Sequence, residues 1–136
     1  MFTLHPRLAA DTIELARWEL SLVLLMNDSA YPWLILVPRR PEITEIFQLA
    51  AEDRNRLMEE ITRASRILDQ GWRPRKINVA ALGNMVPQLH VHVLARFEED
   101  PAWPHPVWGV ASACPYADGE LAEMRRRFAE TSGLIS

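Results

Sequence analysis

The chain has little that would tie it to a disulfide framework or a membrane. Its 136 residues contain one cysteine, Cys114, so no disulfide can form within the chain, and a reducing, cytoplasmic setting is the simplest interpretation. No apolar run approaches the ~20 residues that a membrane-spanning helix needs. The first ten residues also lack the basic and then apolar pattern of a secretion signal.

Net charge is also small. The formal charge of −3 at pH 7 gives no overall electrostatic footprint for nucleic acid. The one basic run, residues 125–127, is partly offset by Glu120, Glu123 and Glu130, a pattern typical of a solvated helix face. The sequence therefore favours neither a nucleic-acid polymer nor a membrane as a partner.

What the chain does have is enough apolar sequence for one core. Hydrophobic residues make up 49% of the sequence, and a domain near this length buries roughly two-thirds of its unfolded surface. No internal repeat or low-complexity tract divides the chain. We expect residues 1–136 to form a single domain.

A hairpin and a helix are predicted in the first half. Two apolar runs, Leu20 to Met26 and Tyr31 to Val37, flank the turn signal at residues 27–29 and predict an antiparallel hairpin. From Glu52 to about Gln70, apolar residues recur every three or four positions, which predicts an amphipathic helix. Gly71 is a plausible stop signal for that helix.

Two more strands and a last helix are predicted in the second half. Strands are expected from Lys76 to Leu82 and from Leu89 to Phe97. The stretch from Glu98 to Pro115 holds four prolines and two tryptophans, so it is either an extended cover over a site or a packed connector. A helix follows from about Asp118 to Thr131. This order of elements favours an α+β fold over a parallel α/β fold.

The most informative pattern places two of the four histidines on alternate positions of the last predicted strand. Alternate side chains project from one face of a strand, roughly 6.5–7 Å apart, so Gln88, His90 and His92 form a polar row. Leu89 and Val91 then point into apolar packing. A neutral imidazole keeps one ring nitrogen unprotonated and both attacks and leaves readily. The row therefore predicts a chemical site.

Residues 78–96 resemble the histidine triad (HIT) family. That family carries a Gly-Gln-x-Val-x-His-x-His-x-His pattern, and the corresponding stretch here runs from Gly83 to Leu94. Residues 34–40 are similar to the family's "LVIPK" segment, and residues 52–61 are similar to its central helix. The match spans about residues 20–97, and residues 98–136 form a C-terminal extension. Two departures are that Gln88 stands where the family has its first triad histidine, and Asn84 where it has glutamine.

The resemblance implies an antiparallel sheet with a central helix and a C-terminal helix, assembled as a homodimer. It implies a hydrolase or transferase that acts at the α-phosphate of a nucleotide or dinucleoside polyphosphate, without a metal or other cofactor. His90 would be the nucleophile, forming a nucleotidyl-histidine intermediate. His92 would donate to a phosphate oxygen or hold the geometry of the site. Asn84 would supply an amide donor, or simply form a turn, and Asn78 would bind phosphate or ribose, or lie at a strand edge.

Gln88 is the departure with the largest chemical consequence. An amide has no useful pKa and cannot protonate a leaving group, although it can donate a hydrogen bond to one. Because general acid catalysis is typically worth ~10²–10⁴-fold, its loss favours leaving groups that depart unaided, such as those of phosphoanhydrides.

Three alternatives stay open. The chain could be a nucleotide-binding HIT-like protein with weak or no catalysis. It could be a cupin-like metal-binding protein in which His90, His92 and Glu98 hold the ion, or a scaffold with no small ligand. His5 and His105 fit surface or packing positions better than catalytic ones. Trp103 and Trp108 could stack on a base or a partner subunit, or anchor their loop to the core.

Overall fold

The computed structural model describes residues 1–135 and confirms the predicted α+β class. Its elements are α1 (Pro6–Asp11), β1 (Thr12–Arg17), β2 (Ser21–Met26), β3 (Trp33–Pro38), a single 3₁₀ turn (Ile46–Gln48), α2 (Ala51–Trp72), β4 (Lys76–Ala80), β5 (Val91–Arg96) and α3 (Asp118–Leu134). The strands form one sheet in the order β1-β2-β3-β5-β4. Every neighbouring pair is antiparallel. Within residues 1–135, no helix is long and apolar enough to cross a bilayer.

The strand that carries His92 lies in the interior of the sheet. In the hairpin that the sequence predicted, β2 pairs with β3, and β5 then inserts between β3 and β4. His92 is flanked by Ile35 on one side and Ala80 on the other. Because both edges of β5 are hydrogen-bonded, the backbone that carries this imidazole is held from two sides.

Both faces of the sheet are covered by apolar packing. Val91, Val93 and Ala95 belong to the core that lies against α2 and α3, as the alternation predicted. Leu94 belongs to a second core on the opposite face, where α1, the N-terminal segment and residues 102–108 cover the sheet. Two-sided coverage explains why β2, β3 and β5 are apolar almost throughout, since neither face meets bulk water.

The end of the central helix differs from the prediction. The stop at Gly71 was wrong: α2 continues to Trp72, and Arg73 terminates it in the left-handed conformation, with φ 51°. Gly71 serves packing instead, because a Cβ at this position would lie only 3.1 Å from Oγ1 of Thr131 in α3. The glycine therefore allows the two helices to approach closely.

The N-terminal elements α1 and β1 were missed by sequence reasoning. β1 is an edge strand, only half-buried, and its register against β2 shifts between Glu14 and Ala16. Such a bulge breaks the period-two alternation by which a strand is recognised.

Candidate active site

His90 lies immediately before β5, and the residue is only 7% exposed. Its Nδ1 is 2.7 Å from the carbonyl oxygen of Gln88. A carbonyl oxygen only accepts, so Nδ1 must carry the proton. In the neutral ring the lone pair is then on Nε2, the nitrogen that is free to act as a nucleophile.

His92 carries its proton on the other nitrogen. The indole Nε1–H of Trp33 donates to Nδ1 of His92 at 3.0 Å, so Nδ1 accepts and the neutral ring is protonated at Nε2. Burial, with a smaller contribution from His90, lowers the pKa of His92 from 6.5 to about 4. His92 is therefore a neutral N–H donor at physiological pH, and its ring centroid lies 4.9 Å from that of His90.

Gln88 does not continue the strand, because β5 starts at Val91 rather than at the predicted Leu89. The backbone N–H of Leu89 donates to Ile43 instead of joining the ladder. The Gln88 side chain binds the N-terminal segment: its Oε1 accepts from the N–H of His5 and its Nε2 donates to the carbonyl of Thr3, both at 2.8 Å. One amide hydrogen remains for any role toward a substrate, and that role stays a prediction.

Two cavities open beside His90. The smaller one, about 320 Å³, is lined by both histidines, by Asn84, and by apolar side chains that include Leu8, Met26, Ile35 and Trp108. The larger one, about 670 Å³, is lined by Gln88, Phe47 and Arg54, among others. His90 lines both, together with Leu82 and Gly83. Both volumes fall within the range of small-molecule sites.

The loop between β4 and β5 brings Asn84 to the smaller cavity. Gly83 has a φ of +84°, a left-handed backbone conformation that residues with a Cβ atom rarely adopt. Asn84 follows this turn and is exposed at the cavity wall. This position is compatible with the predicted amide donor, which stays a prediction.

Asn78 has a different environment from the one that its predicted role requires. Its Oδ1 accepts a hydrogen bond from Nη1 of Arg96 at 2.9 Å, and it lies outside the lining of both cavities. Binding of phosphate or ribose by Asn78 remains a prediction, and this contact argues against it.

The comparisons with known proteins settle the family. The family model for the HIT domain matches residues 8–99. The chain belongs to the HIT family. Members of this family bind nucleotides and include nucleotide hydrolases and transferases.

Three solved structures of histidine triad proteins are similar to this HIT protein over nearly its whole length. The protein from Marinobacter aquaeolei is 46% identical, with a TM-score of 0.95, and the match covers 100% of this chain and 99% of that one. The protein from Bradyrhizobium japonicum is 45% identical, with a TM-score of 0.93 and coverage of 96% and 97%. The protein from Sinorhizobium meliloti is 45% identical, with a TM-score of 0.93 and coverage of 96% of each chain. None of the curated proteins matches this chain.

Sequence reasoning missed Trp33 as part of the site of this HIT protein. In a run as apolar as β3 a tryptophan is indistinguishable from core, and its partner His92 lies 59 residues further along the chain. Trp108, for which the sequence leaves stacking on a ligand and anchoring of its loop as alternatives, lies next to this pair. Its ring packs edge-on against His92 at 5.1 Å and against Trp33 at 5.9 Å. The proline-rich segment therefore supplies a wall of the smaller cavity.

The metal-site alternative loses its carboxylate. Glu98 pairs with Arg75 at 3.2 Å, and both side chains are largely exposed. Among residues 1–135, no group of three or more His, Cys, Asp or Glu side chains is placed to hold a metal ion.

Proposed function

We propose that this HIT protein is a nucleotidyl hydrolase or transferase in which Nε2 of His90 attacks the α-phosphate of a nucleoside phosphate derivative. The observation that carries the proposal is the hydrogen bond from Nδ1 of His90 to the carbonyl of Gln88. It leaves an unprotonated nitrogen on a ring that borders both cavities.

The chemistry proceeds in two displacements. The Nε2 lone pair forms a bond to phosphorus while the bond from phosphorus to the leaving oxygen breaks, and the leaving oxygen takes that electron pair. Because the ring gains positive charge, its Nδ1–H bond to the Gln88 carbonyl becomes charge-assisted and stronger. In the second displacement, water, or another acceptor in a transferase, attacks phosphorus, and the bond from phosphorus to Nε2 breaks and returns its electron pair to His90. The proton of the attacking water or acceptor passes to solvent.

His92 and Asn84 are the side chains that support this step. The Nε2–H of His92 and the amide of Asn84 would donate to phosphoryl oxygens, where negative charge develops. A donor that stays neutral keeps its proton through the reaction, so His92 acts by hydrogen bonding rather than by proton transfer. We propose that this chemistry needs no metal, because the N–H donors stabilise the negative charge on the phosphoryl oxygens by hydrogen bonding.

The two cavities suggest how a substrate is divided. The smaller one has mainly apolar walls and suits a nucleoside, and the larger one, with both Arg54 and Glu45 in its lining, leaves room for a leaving group. Gln88, which we interpret as replacing the first triad histidine, supplies no acid. Both features favour phosphoanhydrides, such as dinucleoside polyphosphates, as substrates. A homodimer and a cytoplasmic location remain further parts of the proposal.

A second candidate function is nucleotide binding without turnover. It is favoured by the Gln88 amide, whose two polar atoms are already engaged by the N-terminal segment. The same cavities would then hold a nucleotide that no group activates for cleavage.

Intact-mass analysis during incubation with adenylated and guanylated compounds tests the proposal. We expect an acid-labile adduct of one nucleotide on the wild type, and neither adduct nor turnover in His90→Ala. The matched control is His105→Ala, whose exposed side chain lies outside both cavities; it should retain both. Full turnover in His90→Ala would refute the assignment of the nucleophile. Nucleotide binding without adduct or turnover in the wild type would favour the second candidate.

A further inference from the structure

Trp33 and His92 form a buried, hydrogen-bonded pair on neighbouring strands. Trp33 is 5% exposed and His92 is 6% exposed. In the register of β3 and β5, Trp33 lies opposite Leu94 and Ile35 lies opposite His92. Trp33 and His92 are therefore diagonal neighbours on one face of the sheet, a separation that large aromatic side chains can span.

The indole is held in place by other rings. Tyr31 packs against it edge-on with centroids 6.1 Å apart, and Trp108 does so at 5.9 Å. A side chain enclosed in this way has little rotational freedom left, so the direction of its N–H is fixed before any ligand arrives.

An indole N–H can only donate, which gives the contact a definite chemical consequence. A proton on Nδ1 of His92 would meet the indole proton head-on, so the neutral ring must carry its proton on Nε2. His90 has the opposite arrangement, since its Nδ1–H is fixed by a carbonyl. Nε2 therefore carries a lone pair in His90 and a proton in the adjacent His92.

We infer that Trp33 is a positioning residue that holds His92 in the Nε2–H form, so that His92 donates where His90 attacks. The effect of Trp33 on turnover rests on the proposed function, whereas the positions of the two ring protons do not. Without the indole, the His92 proton could move to Nδ1. Nε2 would then present a lone pair to a phosphoryl oxygen, and repulsion would replace a hydrogen bond.

Nitrogen NMR of the ligand-free protein tests this inference directly. With ¹⁵N-labelled histidine at pH 7.5, long-range ¹H–¹⁵N correlations report which ring nitrogen is protonated. We expect protonation at Nε2 for His92 and at Nδ1 for His90 in the wild type. Trp33→Phe keeps an aromatic ring but removes the donor, and the two nitrogen shifts of His92 should move toward each other as the tautomers mix. Wild-type His92 protonated at Nδ1, or unchanged shifts in Trp33→Phe, would overturn the inference.

Trp108→Phe is the matched control, since Trp108 touches the same imidazole by edge-to-face packing rather than by a hydrogen bond. It should leave the His92 tautomer unchanged, and a shift equal to that of Trp33→Phe would overturn the inference. If Trp33→Phe fails to fold, His92→Phe gives the reciprocal measurement. The Trp33 indole proton should then exchange with solvent about tenfold faster than in the wild type, and an unchanged exchange rate would count against the pair.

Kinetics separate this inference from the proposed function. With a substrate that the wild type turns over, Trp33→Phe should lower kcat about tenfold while KM changes less than twofold. A rise in KM alone would indicate that Trp33 affects substrate binding and is not a positioning residue. Wild-type protein that shows the expected tautomers but no turnover would refute the proposed function and leave the proton positions established.

Discussion

Burial of His92 couples the stability of the fold to pH. Desolvation, and the neighbouring His90, lower the pKa of the ring from 6.5 to about 4; its other close neighbours, Trp33 and Trp108, are uncharged aromatic rings. Between these two pH values the unfolded chain binds a proton at this position and the folded chain does not. The free energy of unfolding therefore falls as the pH drops through this window, and the contribution of His92 is complete above pH 6.5.

Comparison with His92→Asn isolates this residue-scale effect. From pH 7 to pH 4, the free energy of unfolding of the wild type should fall by about 3 kcal/mol more than that of the variant. Urea unfolding at several pH values measures the difference, since other titrating groups contribute to both proteins. His105→Asn, which alters an exposed histidine, should follow the wild type. If the free energies of unfolding of the wild type and His92→Asn change with pH in parallel, burial does not disfavour protonation of the His92 ring.

The sequence predicts that the two histidines lie together, but it does not predict which ring nitrogen of each carries the proton. The His-x-His spacing alone indicates two imidazoles on one side of the chain. The tautomer of His90 depends on where the Gln88 carbonyl lies, and that of His92 depends on an indole brought alongside by strand pairing. Neither contact follows from residue spacing, because the first depends on the local backbone conformation at residues 88–90 and the second on the pairing of β3 with β5.

The segment after β5 is irregular, and hydrogen bonds from one buried arginine hold it in place. The guanidinium of Arg96, 2% exposed, donates to both carboxylate oxygens of Asp100 at 2.8 and 3.0 Å, to Asn78 at 2.9 Å and to the carbonyl of His105 at 2.8 Å. Burial alone raises the pKa of Asp100, but hydrogen bonds from Arg96 and from two backbone N–H groups outweigh it and lower that pKa below its usual value. The pair of Arg96 and Asp100 therefore holds the proline-rich segment against the sheet, where Trp108 packs against His92.

Removing one member of the pair should be costly. In Asp100→Asn, a buried guanidinium loses its counter-charge, and we expect a loss of about 3–5 kcal/mol in the free energy of unfolding. Glu98→Gln is the matched control two residues away, where the pair with Arg75 is largely exposed; it should cost less than about 1 kcal/mol. Urea unfolding of the three proteins at pH 7 decides the matter. Similar small losses in both variants would show that the buried pair does not hold the turn.

Element by element, predictability follows the regularity of the pattern. The hairpin and the central helix follow from apolar runs and from a three-to-four residue period. The N-terminal helix and strand escape notice because they are short and half-exposed, and because the strand is bulged. Residues 98–115 have no period at all, and their path is set by single contacts such as the one between Arg96 and Asp100.

For the whole molecule, the resemblance to HIT proteins implies a homodimer, and one edge of the sheet is suited to form it. Within residues 1–135, β4 is paired on one side only, by β5. Val79 on this strand is 49% exposed, and the following loop exposes Leu82 at 48% and Met85 at 75%. An unpaired strand edge with exposed apolar side chains is stabilised by pairing with a second strand. We therefore expect β4 of two subunits to meet.

A charge at this edge should separate the subunits. Lysine on an edge strand opposes strand pairing because two chains would bring like charges together in a desolvated contact. We expect Val79→Lys to sediment as a monomer at concentrations where the wild type is a dimer. Leu134→Lys, at an 81% exposed apolar residue near the end of α3, should remain dimeric.

A wild-type monomer in sedimentation velocity would refute the proposed homodimer. A dimeric Val79→Lys would move the interface away from β4. Because His90 and His92 lie in one subunit with both of their hydrogen-bond partners, the monomeric variant should keep the proton positions of the two rings even if its turnover falls.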